Sequence, residues 1–114
     1  ADRIGSWPIN TWYILLNNFF HSGMASGEFQ MMRADVFRKV SGYREDLAAV
    51  EDVDMFMRLA KVGRTYSYRA LNVCHSYRRV HKAGWLRTYW LWISNGLSFV
   101  FRNKAAAKEW KVVR

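Results

Sequence analysis

Three carboxylates near the middle of the chain are the residues best suited to chemistry. Glu51, Asp52 and Asp54 precede an apolar pattern with steps of three and four residues, which predicts a helix that closes near Gly63. A carboxylate at a helix N-terminus stays ionised at neutral pH, because the helix dipole and the free backbone N–H groups favour the anion. It can therefore take a proton from a hydroxyl group as a general base. The alternative is that these residues only cap the helix.

A second group of candidates follows in the basic half of the chain. Arg78 and Arg79 form a pair of cations, and arginine forks match phosphate oxygens in a bidentate manner. A solvated loop is the alternative for this pair. His75 ends an apolar segment, which is typical of an ordinary histidine at a strand end. Cys74 is the single cysteine, so it forms no intramolecular disulfide and offers no metal-ligand spacing.

The elements that must position these residues predict an α/β fold. About three short strands, with helices before, between and after them, would form part of a sheet that is completed by further N-terminal strands. Ser41 and Gly42 end one helix, because glycine accepts the left-handed conformation. The predicted helices are Pro8 to His21, Asp35 to Val40, Glu51 to Lys61 and Gly84 to Phe101, and the predicted strands are Glu28 to Arg33, Thr65 to Tyr68 and Asn72 to His75.

Length and composition indicate one ordered domain with an uneven charge. The 114 residues are 51% hydrophobic and 17% aromatic, which excludes intrinsic disorder. Residues 1–60 hold six Lys/Arg against eight Asp/Glu, net −2, whereas residues 61–114 hold twelve against one, net +11. The second half therefore suits anionic partners: phosphate groups, a membrane surface or nucleic acid.

The last predicted helix is amphipathic and rich in tryptophan. It is either ordinary core or a membrane-surface helix, and its basic flanks favour the membrane. It is too short and too interrupted by polar residues to span a bilayer. With no secretory signal, a cytoplasmic protein at the cytoplasmic membrane face is expected. The residues on its apolar face are Leu86, Tyr89, Trp90, Ile93, Leu97, Val100 and Phe101, opposite Arg87, Ser94, Ser98 and Arg102.

Taken in order, the central motifs form a longer pattern. Residues 27–45 read GEFQMMRADVFRKVSGYRE, residues 51–59 read EDVDMFMRL, and Gly63-Arg64 follows. This order resembles the acceptor-side half of family 2 glycosyltransferases, which have the GT-A fold. In that family a strand opening on Gly leads to R-x-x-x-F-x-x-V-G-G-[FY], and an E-D-x-D-[LM]-x-x-R-[LA] helix comes next. Ser41 replaces the first glycine of the usual pair, a mild departure.

The resemblance implies that a nucleotide-activated sugar is transferred to a lipid-linked or polysaccharide acceptor by an inverting, metal-dependent enzyme. The family's general base corresponds to Asp52, with Glu51 beside it. The acceptor side would include Gly27 and Trp85. The resemblance also implies that Arg78 and Arg79 bind the donor diphosphate and that His75 binds a divalent cation, Mg or Mn.

The D-x-D formed by Asp52 and Asp54 is not expected to be the family's metal motif. That motif ends a strand in the nucleotide-binding half, whereas this one lies inside the Glu-Asp helix. Asp54 is therefore interpreted as a helix cap or as a residue that supports the site. The chain is expected to be a C-terminal fragment of the catalytic domain that lacks the nucleotide-binding half and is inactive alone.

A different class of protein is the alternative: a non-catalytic, basic and aromatic-rich module that binds a membrane surface or nucleic acid. Tyr66, Tyr68 and Tyr77 would then stack on bases beside cations. No helix-turn-helix or RNA-binding signature supports nucleic acid, so none is expected as a partner. Exposed edges of a partial sheet would favour a homodimer or a domain swap.

Overall fold

The regular structure of the chain is helical. The computed structural model describes residues 2–71, 73, 76–106 and 108, with side chains from Ser6 onward. A short π-helical turn, Leu15–Phe19, follows the first helix directly. The α-helices are α1 (Asp2–Ile14), α2 (Ala34–Lys39), α3 (Glu51–Ala60), α4 (Arg78–Ala83) and α5 (Trp85–Arg102).

The predicted α/β fold is wrong for the described part of the chain, which contains helices, turns and loops but no strand. Residues 28–33 and 65–68 are non-helical segments without a sheet ladder, and residues 72, 74 and 75 of the third predicted strand lie outside the described residues. Side chains replace the missing strand partners. Oδ1 of Asn18 accepts a hydrogen bond from the Ser67 N–H (2.8 Å), and Nδ2 of Asn18 donates to the Ser67 carbonyl (3.1 Å). The main chain of Ser67 is therefore satisfied by a helix side chain.

The chain divides into two compact units. The first comprises residues 1–44 and 52–75, and the second comprises residues 45–51 and 76–114. Met55 and Leu59 of α3 are the buried apolar side chains described in the first unit. Those of the second are Leu47, Ala49, Val80 and Phe99. Each unit also buries polar side chains, so hydrogen bonding contributes to both interiors.

Helix α1 begins earlier than expected and ends in an unusual turn. It starts at Asp2 and contains Pro8 in its interior, whereas the sequence predicted a start near Pro8. In the π-helical turn the Phe20 N–H donates to the Leu15 carbonyl, five residues back (3.3 Å). This wider turn changes the direction of the side chains that follow. Phe19, at the end of this turn, and Phe20, just after it, are both 74% exposed.

Asn17, in this turn, connects three segments of the first unit. Its side chain is only 4% exposed. The amide Nδ2 donates to the Met24 carbonyl and to Oγ of Ser67 (2.8 Å), while Oδ1 accepts from the Met24 N–H (2.7 Å) and from Oγ1 of Thr65 (3.5 Å). Because donors and acceptor are all satisfied, the amide is buried without the penalty of an unpaired polar group.

Helix α2 ends where the sequence predicted. Ser41 (φ 63°) and Gly42 (φ 67°) are both left-handed, and the Gly42 N–H donates to the Phe37 carbonyl (3.1 Å). This is the bonding of a Schellman-type helix end. Family 2 glycosyltransferases have a glycine at the position of Ser41, and the left-handed backbone there favours glycine. Ser41 adopts this conformation at some cost in backbone strain.

Candidate functional site

Asp52 occupies the second position of α3 and is half-buried. Its Oδ1 accepts a hydrogen bond from the Val53 N–H (2.8 Å). Its Oδ2 lies 3.5 Å from the point where a Cβ on Gly27 would stand, so the start of α3 and the loop before residue 28 are in close contact. The structure therefore brings together Gly27 and Asp52, two residues that the sequence assigned to one site. No side chain of residue 27 covers Oδ2.

A close backbone contact fixes this loop on α3. Gly23 has φ +72°, and a Cβ there would collide with the Phe56 carbonyl oxygen and would lie 2.8 Å from the Ala60 Cβ. Only glycine fits, both because of the left-handed backbone and because the helix backbone is so near. The residues that follow Gly23 are thereby held along α3 toward Asp52.

Tyr13 is part of the electrostatic surroundings of Asp52, which no motif in the sequence indicated. Burial raises the pKa of the Tyr13 phenol, and the negative charges of Asp52 and Glu28 raise it further. Glu28 follows Gly27 directly, but nothing in its spacing linked it to Asp52. The candidate site thus comprises Tyr13, Gly27, Glu28 and Asp52, all in the first unit.

Asp54 has a structural environment of its own. It is buried, and its Oδ2 lies 2.7 Å from Nη2 of Arg58, while its Oδ1 lies 3.6 Å from Nη1 of Arg44. Arg58 also donates to the carbonyls of Val40 and Gly42 (2.8 Å for the latter). Asp54 therefore orients the arginine that joins α3 to the turn after α2.

The described residues do not fit a divalent cation. Two guanidinium groups already neutralise Asp54, and within the described ranges no group of three His, Cys, Asp or Glu side chains could hold a metal ion. His75, the predicted metal ligand, lies outside the described residues.

The other predicted site residues occupy different places. Glu51 is exposed at the first position of α3. Arg78 and Arg79 form the first turn of α4 in the second unit, the former exposed and the latter half-buried. Trp85 begins α5, also in the second unit.

Trp85 belongs to a row of four aromatic rings. Its ring centroid lies 5.7 Å from that of Tyr77 and 5.5 Å from that of Tyr89, and Tyr89 lies 5.6 Å from Trp92 in an edge-to-face arrangement. These distances are typical of stabilising aromatic pairs. Burial, followed by the interaction with Tyr77, raises the pKa of Tyr89. Trp85 is thus half-buried by its neighbours in the second unit.

Comparisons with known proteins add no family: no protein-family model, no curated protein and no solved structure matches the chain. The resemblance to family 2 glycosyltransferases stays a prediction from the motifs. Within the described residues, none of the helices combines the length and the apolar character needed to cross a membrane.

Proposed function

We propose that the chain is the acceptor-side part of a nucleotide-sugar-dependent glycosyltransferase and that Asp52 is its general base. One observation supports this most directly. At the start of α3, Oδ2 of Asp52 lies 3.5 Å from the point where a Cβ on Gly27 would stand, and glycine has no side chain there. A helix N-terminus favours the ionised form of such a carboxylate. Its half-buried position reduces its contact with bulk water. The proposal rests on this site and on the motif order, not on the sheet that the resemblance implied.

The proposed reaction is a displacement at the anomeric carbon of the donor sugar. The acceptor hydroxyl gives its proton to Oδ2 of Asp52, and its oxygen forms a bond to the anomeric carbon of the donor sugar. The bond from that carbon to the diphosphate breaks, and the diphosphate leaves with the electron pair. The phenol of Tyr13 stays protonated, because burial and then the negative charges of Asp52 and Glu28 raise its pKa.

The resemblance also implies roles for residues of the second unit. Arg78 and Arg79 would neutralise the leaving diphosphate, as arginine forks do for phosphate oxygens. Trp85 would offer an aromatic surface to the acceptor. These roles are based on the motif pattern alone.

The test uses the full-length protein that carries this chain together with its nucleotide-binding half. Replacing Asp52→Asn keeps the shape of the side chain but removes the base, so sugar transfer should fall by about 10²- to 10⁴-fold while donor binding is retained. Asp35→Asn is the matched control, since Asp35 is an exposed carboxylate paired with Arg33 (2.9 Å). Transfer by the folded Asp52→Asn enzyme at a near-normal rate would remove the assignment.

A second variant pair tests the acceptor site itself. Gly27→Leu places a side chain over Oδ2 of Asp52 and should raise the acceptor KM more than the donor KM. At Gly63 an added Cβ meets nothing within 4 Å, so Gly63→Leu is the control. Equal effects of both changes on the acceptor KM would argue against an acceptor site beside Gly27.

One observation favours the alternative function as a nucleic-acid-binding module. Tyr66 and Tyr68 are each 69% exposed in a non-helical segment, and Arg64 and Arg69 beside them are exposed as well. Exposed aromatic rings next to cations can stack on the bases of a single strand. Tyr77, the third tyrosine named for this function, is instead half-buried against Trp85.

A further inference from the structure

Helix α5 carries a continuous apolar surface that the second unit leaves exposed. Six side chains follow one another at steps of 4, 3, 4, 3 and 1 residues, and they are between 52% and 89% exposed. At about 100° per residue these steps keep them within an arc of about 100°. We call this surface the α5 stripe; its members are Leu86, Trp90, Ile93, Leu97, Val100 and Phe101.

The buried side of α5 is a different face. Thr88 and Asn95 are only 1% and 2% exposed, and Phe99 is also buried. Oγ1 of Thr88 donates to the Gly84 carbonyl (2.9 Å), and Nδ2 of Asn95 donates to the Leu91 carbonyl (2.8 Å), so both polar groups are satisfied within the helix. The α5 stripe is therefore apolar surface in excess of what the unit uses for its own interior. Such surfaces mark interaction sites.

The charges around the α5 stripe are of one sign. Residues 76–108 contain seven Lys/Arg and no Asp/Glu. Arg87 and Arg102 adjoin the first and last members of the stripe, and both are exposed, as is Lys104 just beyond. The acidic residues of the second unit lie outside this segment, and by sequence the unit holds nine Lys/Arg against four Asp/Glu, net +5. The surface is thus complementary to a negatively charged partner.

These features together specify a lipid surface. A stripe of this width, with tryptophan in it and cations at both ends, is the pattern of helices that lie in the plane of a membrane interface. Because the opposite face is buried in the second unit, α5 can present only the stripe to a bilayer and must lie flat. The apolar side chains would enter the headgroup boundary while the cations contact anionic lipid headgroups.

We propose that the α5 stripe docks the protein on the surface of an anionic lipid bilayer, with the axis of α5 parallel to the membrane plane. This surface belongs to the second unit, so the proposal is independent of the glycosyl-transfer proposal for Asp52. A negative result for one proposal would not count against the other.

The experiment measures binding of the 114-residue chain to lipid vesicles by flotation. One set contains phosphatidylcholine alone, and the other contains equal parts phosphatidylcholine and phosphatidylglycerol. Binding should be at least about tenfold stronger to the anionic vesicles, because several cations adjoin the stripe. A blue shift of the tryptophan emission that is lost in Trp90→Phe would place the stripe at the interface.

Matched variants separate the stripe from general hydrophobicity. Leu86→Ser, Ile93→Ser and Leu97→Ser combined should weaken binding about a hundredfold or more, since three apolar side chains no longer enter the lipid. The control removes exposed apolar side chains of the first unit by Phe20→Ser, Phe29→Ser and Met31→Ser, and binding should change little. All six positions are exposed, and circular dichroism melting confirms that each variant is folded.

Three results would overturn the proposal. The folded chain could fail to bind anionic vesicles. The two triple variants could lose binding equally, which would assign the effect to general hydrophobicity. The chain could form a concentration-dependent dimer that the stripe variant abolishes, without vesicle binding by the wild type, which would make the stripe an interface between copies of the chain.

Discussion

Tyr13 has an environment that differs from that of an exposed tyrosine. Its side chain is half-buried, and two carboxylates, Asp52 and Glu28, act on it electrostatically. A buried phenol near negative charge resists ionisation, so its pKa is raised. The unfolded chain keeps the ordinary pKa of about 10. The folded state therefore holds this proton more tightly than the unfolded state does.

A pH-dependent stability follows from this difference. Below pH 10 the phenol is protonated in both states, and the contribution of Tyr13 to stability is fully present. As the pH rises above 10 the unfolded state loses the proton first, so the free energy of unfolding falls. Urea unfolding from pH 9 to 11.5 should show a steeper fall for the wild type than for Tyr13→Phe, by about 1–2 kcal/mol at the upper end. Tyr66→Phe serves as the exposed-tyrosine control. Parallel pH profiles for the wild type and Tyr13→Phe would contradict the assigned environment.

At the scale of elements, the end of α2 contains a backbone conformation that its residue does not favour. Ser41 has φ 63° directly before Gly42, which is also left-handed. A non-glycine residue in this region costs about 1–2 kcal/mol, and glycine avoids most of that cost at the expense of greater chain entropy. Ser41→Gly should therefore stabilise the chain by about 0.5–1 kcal/mol.

The measurement for Ser41→Gly is the melting temperature, which should rise by a few degrees. Ser26→Gly is the matched control, because Ser26 is not among the positive-φ residues and glycine there only adds flexibility to the unfolded chain. A lower melting temperature for Ser41→Gly than for the wild type would mean that the serine side chain stabilises the turn.

Helices α2, α3 and α5 could be predicted from local sequence patterns, whereas the strand at residues 65–68 could not be judged from them. The helical period and the Ser41-Gly42 pair located α2 and its end, and the same period located α3 and α5, because these signals are local to the chain. The strand prediction for residues 65–68 failed for a nonlocal reason. Alternating residues mark an extended segment, but the partner of Ser67 is the side chain of Asn18, 49 residues away. No local pattern contains that information.

The candidate site likewise contains residues that the sequence could indicate and one that it could not. Asp52 and Gly27 could be selected because both belong to the motif order that resembles family 2 glycosyltransferases. Tyr13 could not be selected, since only the folded first unit brings it into the field of Asp52 and Glu28. For α5, the pattern identified an apolar face but not whether the protein would bury it. The structure buries Thr88, Asn95 and Phe99 instead.

At the scale of the whole molecule, the charge of +9 is concentrated in the second half of the sequence. A cationic protein binds oligonucleotides weakly through phosphate contacts alone, and such binding falls steeply with salt. The apolar contacts of a membrane helix do not depend on salt in this way. The two kinds of partner should therefore respond differently to ionic strength.

A salt series on the intact chain makes this difference measurable. Between 50 and 500 mM NaCl, binding to a single-stranded oligonucleotide should fall by at least about a hundredfold, whereas binding to anionic vesicles should fall less and persist. Tyr66→Ser with Tyr68→Ser is the matched variant for base stacking. Tight oligonucleotide binding at 500 mM NaCl that this double variant abolishes would favour the nucleic-acid-binding module.

The contacts of Asn17 and Asn18 with Ser67 also set the order in which the first unit can form. They join residues 50 and 49 positions apart, and closing a loop of that length costs about 3–4 kcal/mol of chain entropy beyond a constant term. During synthesis the N-terminal residues leave the ribosome first. The amides of Asn17 and Asn18 must therefore wait for Ser67 to emerge. By then Gly27 and Asp52 are already outside, and both lie within the loop that these contacts close.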